Sequence, residues 1–229
     1  MLNLRLSHPI YTLDNQLLMP ENTQISQKTL DTLISSNKNK SSKTYPLFKY
    51  GSVKDDFLAF LLESNYRIIF AEQKKTLAIL RVLEKVRLTL PVLQSLDYFK
   101  EHDVYTYRHI LTVFALSNLL AMNLLDKRKD LIKEYFAGPT HDFGKICVTL
   151  DVLQKTDPLT KREYSMLKHH AVAGYVLLSY YYRDKHNFYA KVARDHHERR
   201  DESGYPRGIT LRDQLIEIVA VSDIYDALI

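Results

Sequence analysis

Nine histidines occur in the 229-residue sequence, and several of them stand beside carboxylates at spacings that suit metal coordination. Two adjacent pairs, His141-Asp142 and His196-His197, can each present two donor atoms from one short stretch of chain. A donor set of imidazoles and carboxylates without thiolates suits Fe, Mn or Zn in open sites and argues against a structural zinc site built from cysteines. The first hypothesis is therefore a catalytic metal centre.

Helical spacing identifies a further donor in the middle of the chain. Thr160 and Glu163 have the Ser/Thr-x-x-Glu form of a capping box, which predicts a helix that runs to about Tyr182. His170 falls on the apolar face of this helix and should point inward. Its neighbour His169 is turned about 100° away, so we expect it to be exposed or at the rim of the site.

Two more polar residues fall on apolar stripes. His109 shares a face with Val113 and Leu116 on a helix predicted over about 105–125. Asp223 shares a face with Val219 in the last segment. An ionised carboxylate among aliphatic side chains is costly unless it meets a cation, a metal or strong donors, so Asp223 needs a partner.

The donors total five imidazoles and two carboxylates, more than one catalytic ion holds, and so they favour two metal ions. The set is His109, His141, Asp142, His170, His196, His197 and Asp223. A pair of ions, bridged here by Asp142, can activate a water and neutralise phosphate charge during in-line displacement. Lys145 would add a fixed positive charge for a phosphate oxygen. The alternatives are a solvated Lys145 and, for any lone inward histidine, a hydrogen-bonded core residue.

The elements that must position these donors are mostly helical. The first thirty-odd residues alternate apolar and polar positions, with a hairpin predicted at Asp14-Asn15, and a polar linker is predicted over 35–43. Helical spacing dominates from Asp55 onward, including a long pattern over 69–92. We therefore predict a mainly α fold, a helical bundle preceded by a small β-rich N-terminal segment. The expected divisions are an N-terminal segment with linker over 1–50, connecting helices over 51–102 and a metal-binding helical domain over 103–229.

Composition sets broader limits on partners and location. Lys and Arg number 32 against 27 Asp and Glu, a net charge of +5 that mildly favours an anionic partner such as a nucleotide, or reflects surface solvation. We expect no nucleic acid polymer as partner. The single cysteine, Cys147, cannot form an intrachain disulfide, and no apolar run approaches the roughly 20 residues that span a bilayer. A cytoplasmic protein without membrane insertion is expected.

Three motifs carry a resemblance to a known family. His141-Asp142-Phe143-Gly144-Lys145 resembles the HD-x-G-K signature of the HD phosphohydrolase superfamily. The segment from His196 to Pro206 closely resembles the HHE-x-x-D-G-x-GYP element of the HD-GYP subgroup, and 221–228 looks like the helix with that subgroup's last metal-binding aspartate. The resemblance covers about residues 103 to 229, so the chain is identified as similar to HD-GYP proteins.

The resemblance implies a phosphodiesterase that hydrolyses cyclic di-GMP to linear pGpG or GMP at a centre of two or three iron or manganese ions. By motif match, the seven donors above inherit the metal role, and Asp142 and Lys145 inherit the catalytic role, Lys145 through phosphate contact. Gly204, Tyr205 and Pro206 line the substrate pocket or a surface for a signalling partner. Two divalent ions are expected, Fe or Mn first, with Zn, Ni or Mg as alternatives.

The chain departs from the family pattern in three places. Glu202 replaces the usual glycine, so a position that favours positive φ is held by a residue that resists it. Tyr105 stands where some members carry an additional glutamate ligand, which argues against a third metal. The family continues past the position of Ile229 with an Arg-Pro-Tyr-Arg-like stretch, so the domain is expected to be C-terminally short. The alternatives are therefore a phosphohydrolase acting on another nucleotide and a non-catalytic signalling module.

Overall fold

The computed structural model describes residues 4–37, 43–125 and 139–229. The described chain is mainly helical with a few short strands, which confirms the predicted fold class. It divides into two compact units. The described residues of the first unit are 4–37 and 140–216, and those of the second are 43–125, Pro139 and 217–229.

The first unit begins with two short antiparallel strand pairs. Strand β1 (Leu4–Arg5) pairs with β4 (Gln24–Ile25), and β2 (Ile10–Tyr11) pairs with β3 (Leu17–Met19). The predicted hairpin at Asp14-Asn15 is confirmed, and Asn15 adopts a φ of +59°, which asparagine tolerates well.

A helix that the sequence analysis did not predict follows these strands. Helix α1 (Gln27–Ser36) starts from a capping box in which Ser26 Oγ accepts from Thr29 N and Thr29 Oγ1 accepts from Ser26 N. The Ser-x-x-Thr spacing at 26–29 performs the function of the usual Ser-x-x-Glu. The linker predicted over 35–43 was wrong for Ser35 and Ser36, which end α1, and its residues 38–42 lie outside the described residues.

The rest of the first unit is built around one long helix. Helix α8 (Lys161–Tyr182) packs against α1, a 3₁₀ helix (Phe143–Cys147), α7 (Leu150–Leu153) and α9 (Phe188–Asp195). The predicted start of α8 is confirmed, because Thr160 Oγ1 accepts from the Glu163 backbone N–H while Glu163 accepts from the Thr160 backbone N–H.

The second unit is also helical. It contains α2 (Val53–Leu61), α3 (Ser64–Phe70), α4 (Gln73–Leu83), α5 (Leu90–His102) and α6 (Val104–Leu124). Strand β5 (Thr44–Pro46) pairs with β6 (Arg87–Thr89), and residues 217–228 of α10 (Gln214–Leu228) complete the unit. Helix α6 packs against α2, α4 and α5.

The long helical pattern predicted over 69–92 was wrong as a single element. The structure divides it into the end of α3, then α4, β6 and the start of α5. Pro91 lies in the first turn of α5, where its missing N–H removes no helical hydrogen bond. Within the described ranges, none of the helices combines the length and apolar character needed to cross a membrane.

We predict that Thr160→Ala lowers the free energy of unfolding by about 1 kcal/mol, because the first turn of α8 loses its side-chain cap. Urea denaturation measures this change. Thr160→Ser is the matched control, since it keeps the hydroxyl acceptor and should unfold close to the wild-type midpoint. Equal midpoints for the alanine and serine variants would show that the cap contributes nothing.

Candidate metal centre

The structure distributes the predicted site residues over the two units. The first unit contains the larger group, which consists of His141, Asp142, Lys145, His170, His196, His197 and the Gly204-Tyr205-Pro206 turn. The second unit contains His109 and Asp223. We describe each group by itself.

Three imidazoles of the first unit form a tight cluster. His170 comes from α8, and His196 and His197 follow directly after α9. The Nε2 atom of His170 lies 3.4 Å from His196 Nε2 and 3.2 Å from His197 Nε2. One donor atom from each ring lies within 4.8 Å of the other two, so all three could ligate one ion. This arrangement fits a divalent metal.

Backbone carbonyls fix the orientation of two of these rings. His170 Nδ1 lies 2.5 Å from the Leu167 carbonyl, and His196 Nδ1 lies 3.0 Å from the Ala193 carbonyl. A carbonyl can only accept, so each Nδ1 carries the proton and each Nε2 keeps a lone pair directed into the cluster. Metal-binding histidines commonly have this second hydrogen bond, which sets both tautomer and ring orientation.

Asp142 places a carboxylate beside the cluster. Its Oδ1 lies 3.4 Å from His170 Nε2 and 3.9 Å from His196 Nε2. Its Oδ2 lies 3.5 Å from His141 Nε2 and 2.7 Å from Lys145 Nζ. Both carboxylate oxygens therefore face side-chain nitrogen atoms. The first unit brings together all of its predicted imidazole and carboxylate ligands.

Burial keeps the cluster in a form that can bind a cation. His141, His170 and His196 are almost completely buried, and Asp142 is 2% exposed. Desolvation lowers the pKa of His170 to about 3, and the neighbouring His196 and Lys145 act in the same direction while Asp142 opposes them. The imidazole is therefore neutral at ordinary pH, as a metal ligand must be.

A close backbone contact holds Asp142 against α8. A Cβ atom on Gly144 would lie 1.9 Å from the His170 carbonyl oxygen and 2.4 Å from the Gly174 backbone nitrogen. The 3₁₀ helix that carries Gly144 can therefore lie directly on α8 only because this residue has no side chain. This contact explains in physical terms why a glycine follows His141-Asp142 in the motif.

The group in the second unit is organised by a carboxylate that the sequence analysis missed. His109 Nε2 lies 3.0 Å from Asp223 Oδ1, and His109 Nδ1 lies 2.5 Å from Asp226 Oδ2. Asp226 also accepts hydrogen bonds from Tyr66 and from Thr112 Oγ1, the latter at 2.7 Å. It follows Asp223 by three residues, so the i, i+3 spacing could have identified it.

Asp226 is ionised in spite of its burial. Desolvation alone would raise the pKa of Asp226, but hydrogen bonds from His109, Tyr66 and Thr112 outweigh it and lower the pKa below the usual value. An ionised Asp226 keeps the proton of His109 on Nδ1, so that His109 Nε2 faces Asp223. Tyr105 provides no carboxylate, and its ring lies parallel to that of His109 with the centroids 6.1 Å apart.

The Gly-Tyr-Pro turn is held by a buried carboxylate to which the sequence analysis gave no role. Glu198 is 2% exposed and accepts from the backbone N–H of Arg207 at 2.6 Å and of Ile209 at 3.0 Å. A Cβ on Gly204 would lie 2.4 Å from the His197 carbonyl, so the turn passes directly over the histidine segment. The Tyr205 ring stacks on His197 at a centroid distance of 4.5 Å.

Glu202 has the positive φ that is expected at a position where the family pattern has glycine. Its φ is +64°, in the left-handed region that disfavours residues with a Cβ. Its Oε1 accepts a hydrogen bond of 2.6 Å from Thr210 Oγ1, which offsets part of the conformational cost. The turn therefore keeps the required backbone shape without a glycine at this position.

The expectation that His169 is exposed was wrong. His169 is only 3% exposed, and its ring packs edge-on against His8 at a centroid distance of 5.5 Å. The helix face alone predicted exposure, but the N-terminal segment around His8 covers this face. Burial, and after it the electrostatic interaction with His8, lower the pKa of His169 to about 4, although a hydrogen bond with the Pro9 backbone acts in the opposite direction.

Fold and site together define a helical domain that gathers buried imidazoles and carboxylates suited to a divalent metal. The chain belongs to the HD domain family, and the family model matches residues 106–228. This match begins close to the first residue of the predicted metal-binding domain.

Several curated relatives are cyclic-dinucleotide phosphodiesterases. The chain is 34% identical over 173 residues to a cyclic di-GMP phosphodiesterase of Thermotoga maritima, covering 74% of this chain and 44% of the relative. It is 34% identical over 166 residues to the cyclic di-GMP phosphodiesterase response regulator RpfG of Xanthomonas campestris pv. campestris. This similarity covers 71% of this chain and 43% of the relative. It is 33% identical over 107 residues to the 3'3'-cGAMP-specific phosphodiesterase 2 of Vibrio cholerae. This similarity covers 46% of this chain and 20% of the relative.

The chain thus spans less than half the length of these relatives. Their names are consistent with the HD-GYP subgroup that the His196–Pro206 element predicted, and the resemblance stated from the sequence is confirmed.

We predict that Gly144→Ala lowers the free energy of unfolding by about 1–3 kcal/mol, because the new methyl group overlaps the His170 carbonyl and forces the 3₁₀ helix away from α8. The metal content of the purified protein should fall with it, since Asp142 moves with that helix. Gly51→Asn is the control: a Cβ there meets no atom within 4 Å, and asparagine tolerates its φ of +49°. Wild-type stability and metal content in Gly144→Ala would contradict the close contact.

We also predict that Asp226→Asn destabilises the second unit by about 1–3 kcal/mol, because the amide cannot replace the charged acceptor for His109. Chemical denaturation gives the change in free energy of unfolding. Asp55→Asn makes the same substitution at an exposed position of α2 and serves as the control. If both variants unfold alike, Asp226 does not organise the group around His109.

Proposed function

We propose that this chain is a metal-dependent phosphodiesterase that hydrolyses a cyclic dinucleotide, with cyclic di-GMP as the first candidate substrate. The observation that carries the proposal is the cluster of His170, His196 and His197, whose Nε2 atoms converge beside the Asp142 carboxylate. A largely buried cluster of three imidazoles beside a carboxylate has little use as a structural element but suits a catalytic cation. The names of the relatives support the same chemistry.

The proposed metal ligands of the first unit are His141, Asp142, His170, His196 and His197. Two divalent ions, Fe or Mn first and Zn, Ni or Mg as alternatives, would activate a water for attack and neutralise charge on the phosphate. The mixture of imidazole and carboxylate without thiolate is the reason for this preference. Asp142 has both oxygens directed at nitrogen donors, so it is the candidate bridging ligand.

Lys145 is proposed to bind the phosphate. Its ammonium lies 2.7 Å from Asp142 Oδ2, which holds it at the edge of the cluster with 15% of the side chain exposed. From there it can donate to a non-bridging phosphate oxygen and stabilise the charge that develops on it. Tyr205, stacked on His197, is proposed to form a wall of the substrate pocket or of a surface for a signalling partner.

The ligand roles of His109 and Asp223 stay predictions from the sequence resemblance. Their side chains pair at 3.0 Å within the second unit, an arrangement in which the Asp223 carboxylate and His109 Nε2 could share a cation. The number of metal ions bound by the His109→Ala variant would test this assignment. A cytoplasmic location also stays a prediction.

A second candidate function is hydrolysis of 3'3'-cGAMP, which the names of relatives from Vibrio cholerae favour. This reaction would use the same ligands and differ in the recognition of one base. A catalytically silent signalling module would keep metal binding and show no turnover.

We predict that the purified protein, reconstituted with Mn(II) or Fe(II) under anaerobic conditions, converts cyclic di-GMP into pGpG or GMP. Chromatography of the products and metal analysis of the same sample check this. Asp142→Ala should lose metal and reduce the rate at least about 100-fold, because it removes a ligand and the partner of Lys145. Asp151→Ala, an exposed aspartate on α7, is the control and should retain both.

Three outcomes separate the candidates. Faster turnover of 3'3'-cGAMP than of cyclic di-GMP would replace the first substrate with the second. Bound metal without turnover of either dinucleotide would indicate the signalling module. Full activity in Asp142→Ala would overturn the proposed site.

A further inference from the structure

The first unit also contains a cavity of about 390 Å³, and none of the proposed metal ligands lines it. Strand β1 contributes Arg5, helix α8 contributes one face, and the Gly-Tyr-Pro turn contributes Tyr205 and Pro206. Small-molecule sites generally have volumes of about 300–1,000 Å³, so the cavity has the size of a ligand site.

The face of α8 that lines the cavity is continuous. Its members are Lys161, Tyr164, Ser165, Lys168, His169 and Val172, which recur at the three- and four-residue spacing of one helical face. Polar residues dominate the outer part of this face, while His169 and Val172 are buried. The cavity wall therefore combines two buried side chains, His169 and Val172, with the more exposed polar groups of the same helix face.

The charge of the cavity wall is positive. Arg5, Lys161 and Lys168 line it, and none of its described lining residues is a carboxylate. Arg5 Nε donates to the Asn22 carbonyl at 3.3 Å, which restricts the guanidinium to this side of the strand. A cavity with three cations and no described acidic lining residue attracts anions, and phosphate is an anion that Arg and Lys commonly bind.

Aromatic rings form the other part of the wall. The ammonium of Lys168 lies 4.6 Å from the centroid of the Tyr164 ring and 4.9 Å from that of Tyr205. Lys168 is thereby held at a fixed position within reach of both rings. His197 and Lys168 occupy the faces of Tyr205, whereas Tyr164 is 49% exposed, so Tyr164 is the ring that offers a surface to a planar base.

We propose that this cavity binds a nucleoside monophosphate unit, with the phosphate on Lys168, Arg5 and Lys161 and the base against Tyr164. The inference rests on the proposed function, because a cyclic dinucleotide supplies such units. Tyr205 is shared between the cavity and the metal cluster through its stacking on His197. The unit is either part of the substrate or product, or a separate nucleotide that acts as an effector.

The test measures GMP binding to the metal-loaded protein by calorimetry, with guanosine as the probe that lacks the phosphate. Lys168→Met keeps the aliphatic stem and removes the charge, so it should weaken GMP binding roughly tenfold or more. Guanosine should bind the wild type and the variant equally weakly. Lys28→Met is the matched control on the exposed face of α1, and thermal unfolding verifies that both variants fold.

A second measurement locates the ligand. The photoreactive analogue 8-azido-GMP should label peptides that contain Tyr164 or Tyr205, and labelling should fall in Lys168→Met but not in Lys28→Met. Labelling confined to other peptides, equal GMP affinity in the two variants, or absence of binding at millimolar GMP would each overturn the proposed pocket.

These results are distinguishable from failure of the proposed function. Turnover of cyclic di-GMP without GMP binding overturns the pocket alone, whereas Lys168-dependent GMP binding without turnover supports the pocket and counts against the hydrolase. Inhibition by GMP identifies the source: an increase in apparent KM indicates a unit of the substrate or product, and a change in kcat alone indicates an effector. Either inhibition pattern supports the cavity when Lys168→Met weakens the inhibition and Lys28→Met does not, and equal inhibition of the two variants overturns the cavity.

Discussion

The candidate site depends on the hydrogen bonds that fix buried imidazoles in one tautomer. A histidine removed from water must be neutral or paired with a charge, and its two nitrogens then have different roles. In the first unit, the Leu167 and Ala193 carbonyls accept hydrogen bonds from the Nδ1–H groups of His170 and His196, which leaves both Nε2 atoms facing one another. In the second unit, the ionised Asp226 carboxylate accepts a hydrogen bond from the Nδ1–H group of His109. Without these bonds the rings could turn, and no converging donor set would exist.

The second requirement is close backbone contact, which glycine permits. Gly144 allows the segment carrying Asp142 to lie on α8, and Gly204 allows the Tyr205 turn to pass over the histidine segment. Both glycines have ordinary φ values, so they are needed for space and not for backbone freedom. Glu202 is the opposite case: its φ is positive, yet a hydrogen bond to Thr210 makes a residue with a side chain acceptable. At these positions, the space available for a side chain therefore restricts the residue type more strictly than a positive φ does.

The cationic cavity shows how the N-terminal segment changes the surface of the helical domain. Residues 4–25 pack on the face of α8 that carries His169, bury that histidine and bring Arg5 beside Lys168. The same helix thus presents His170 to the metal cluster and Lys168 to the cavity, two residues apart. Tyr205 lines the cavity and also stacks on His197, a candidate metal ligand, so the two proposed sites share one residue.

The sequence by itself determined the donor types, the start of α8 and the inward position of His170, because capping boxes and helical periodicity are local properties. It also determined the family, because the HD and GYP motifs combine residue type with spacing. Only the tertiary structure decided the burial of His169, the hydrogen-bond partners of Asp226 and Glu198, and the cavity beside Lys168. Each of these depends on which distant segment covers a given helix face, and a pattern read along one helix contains no information about its neighbours.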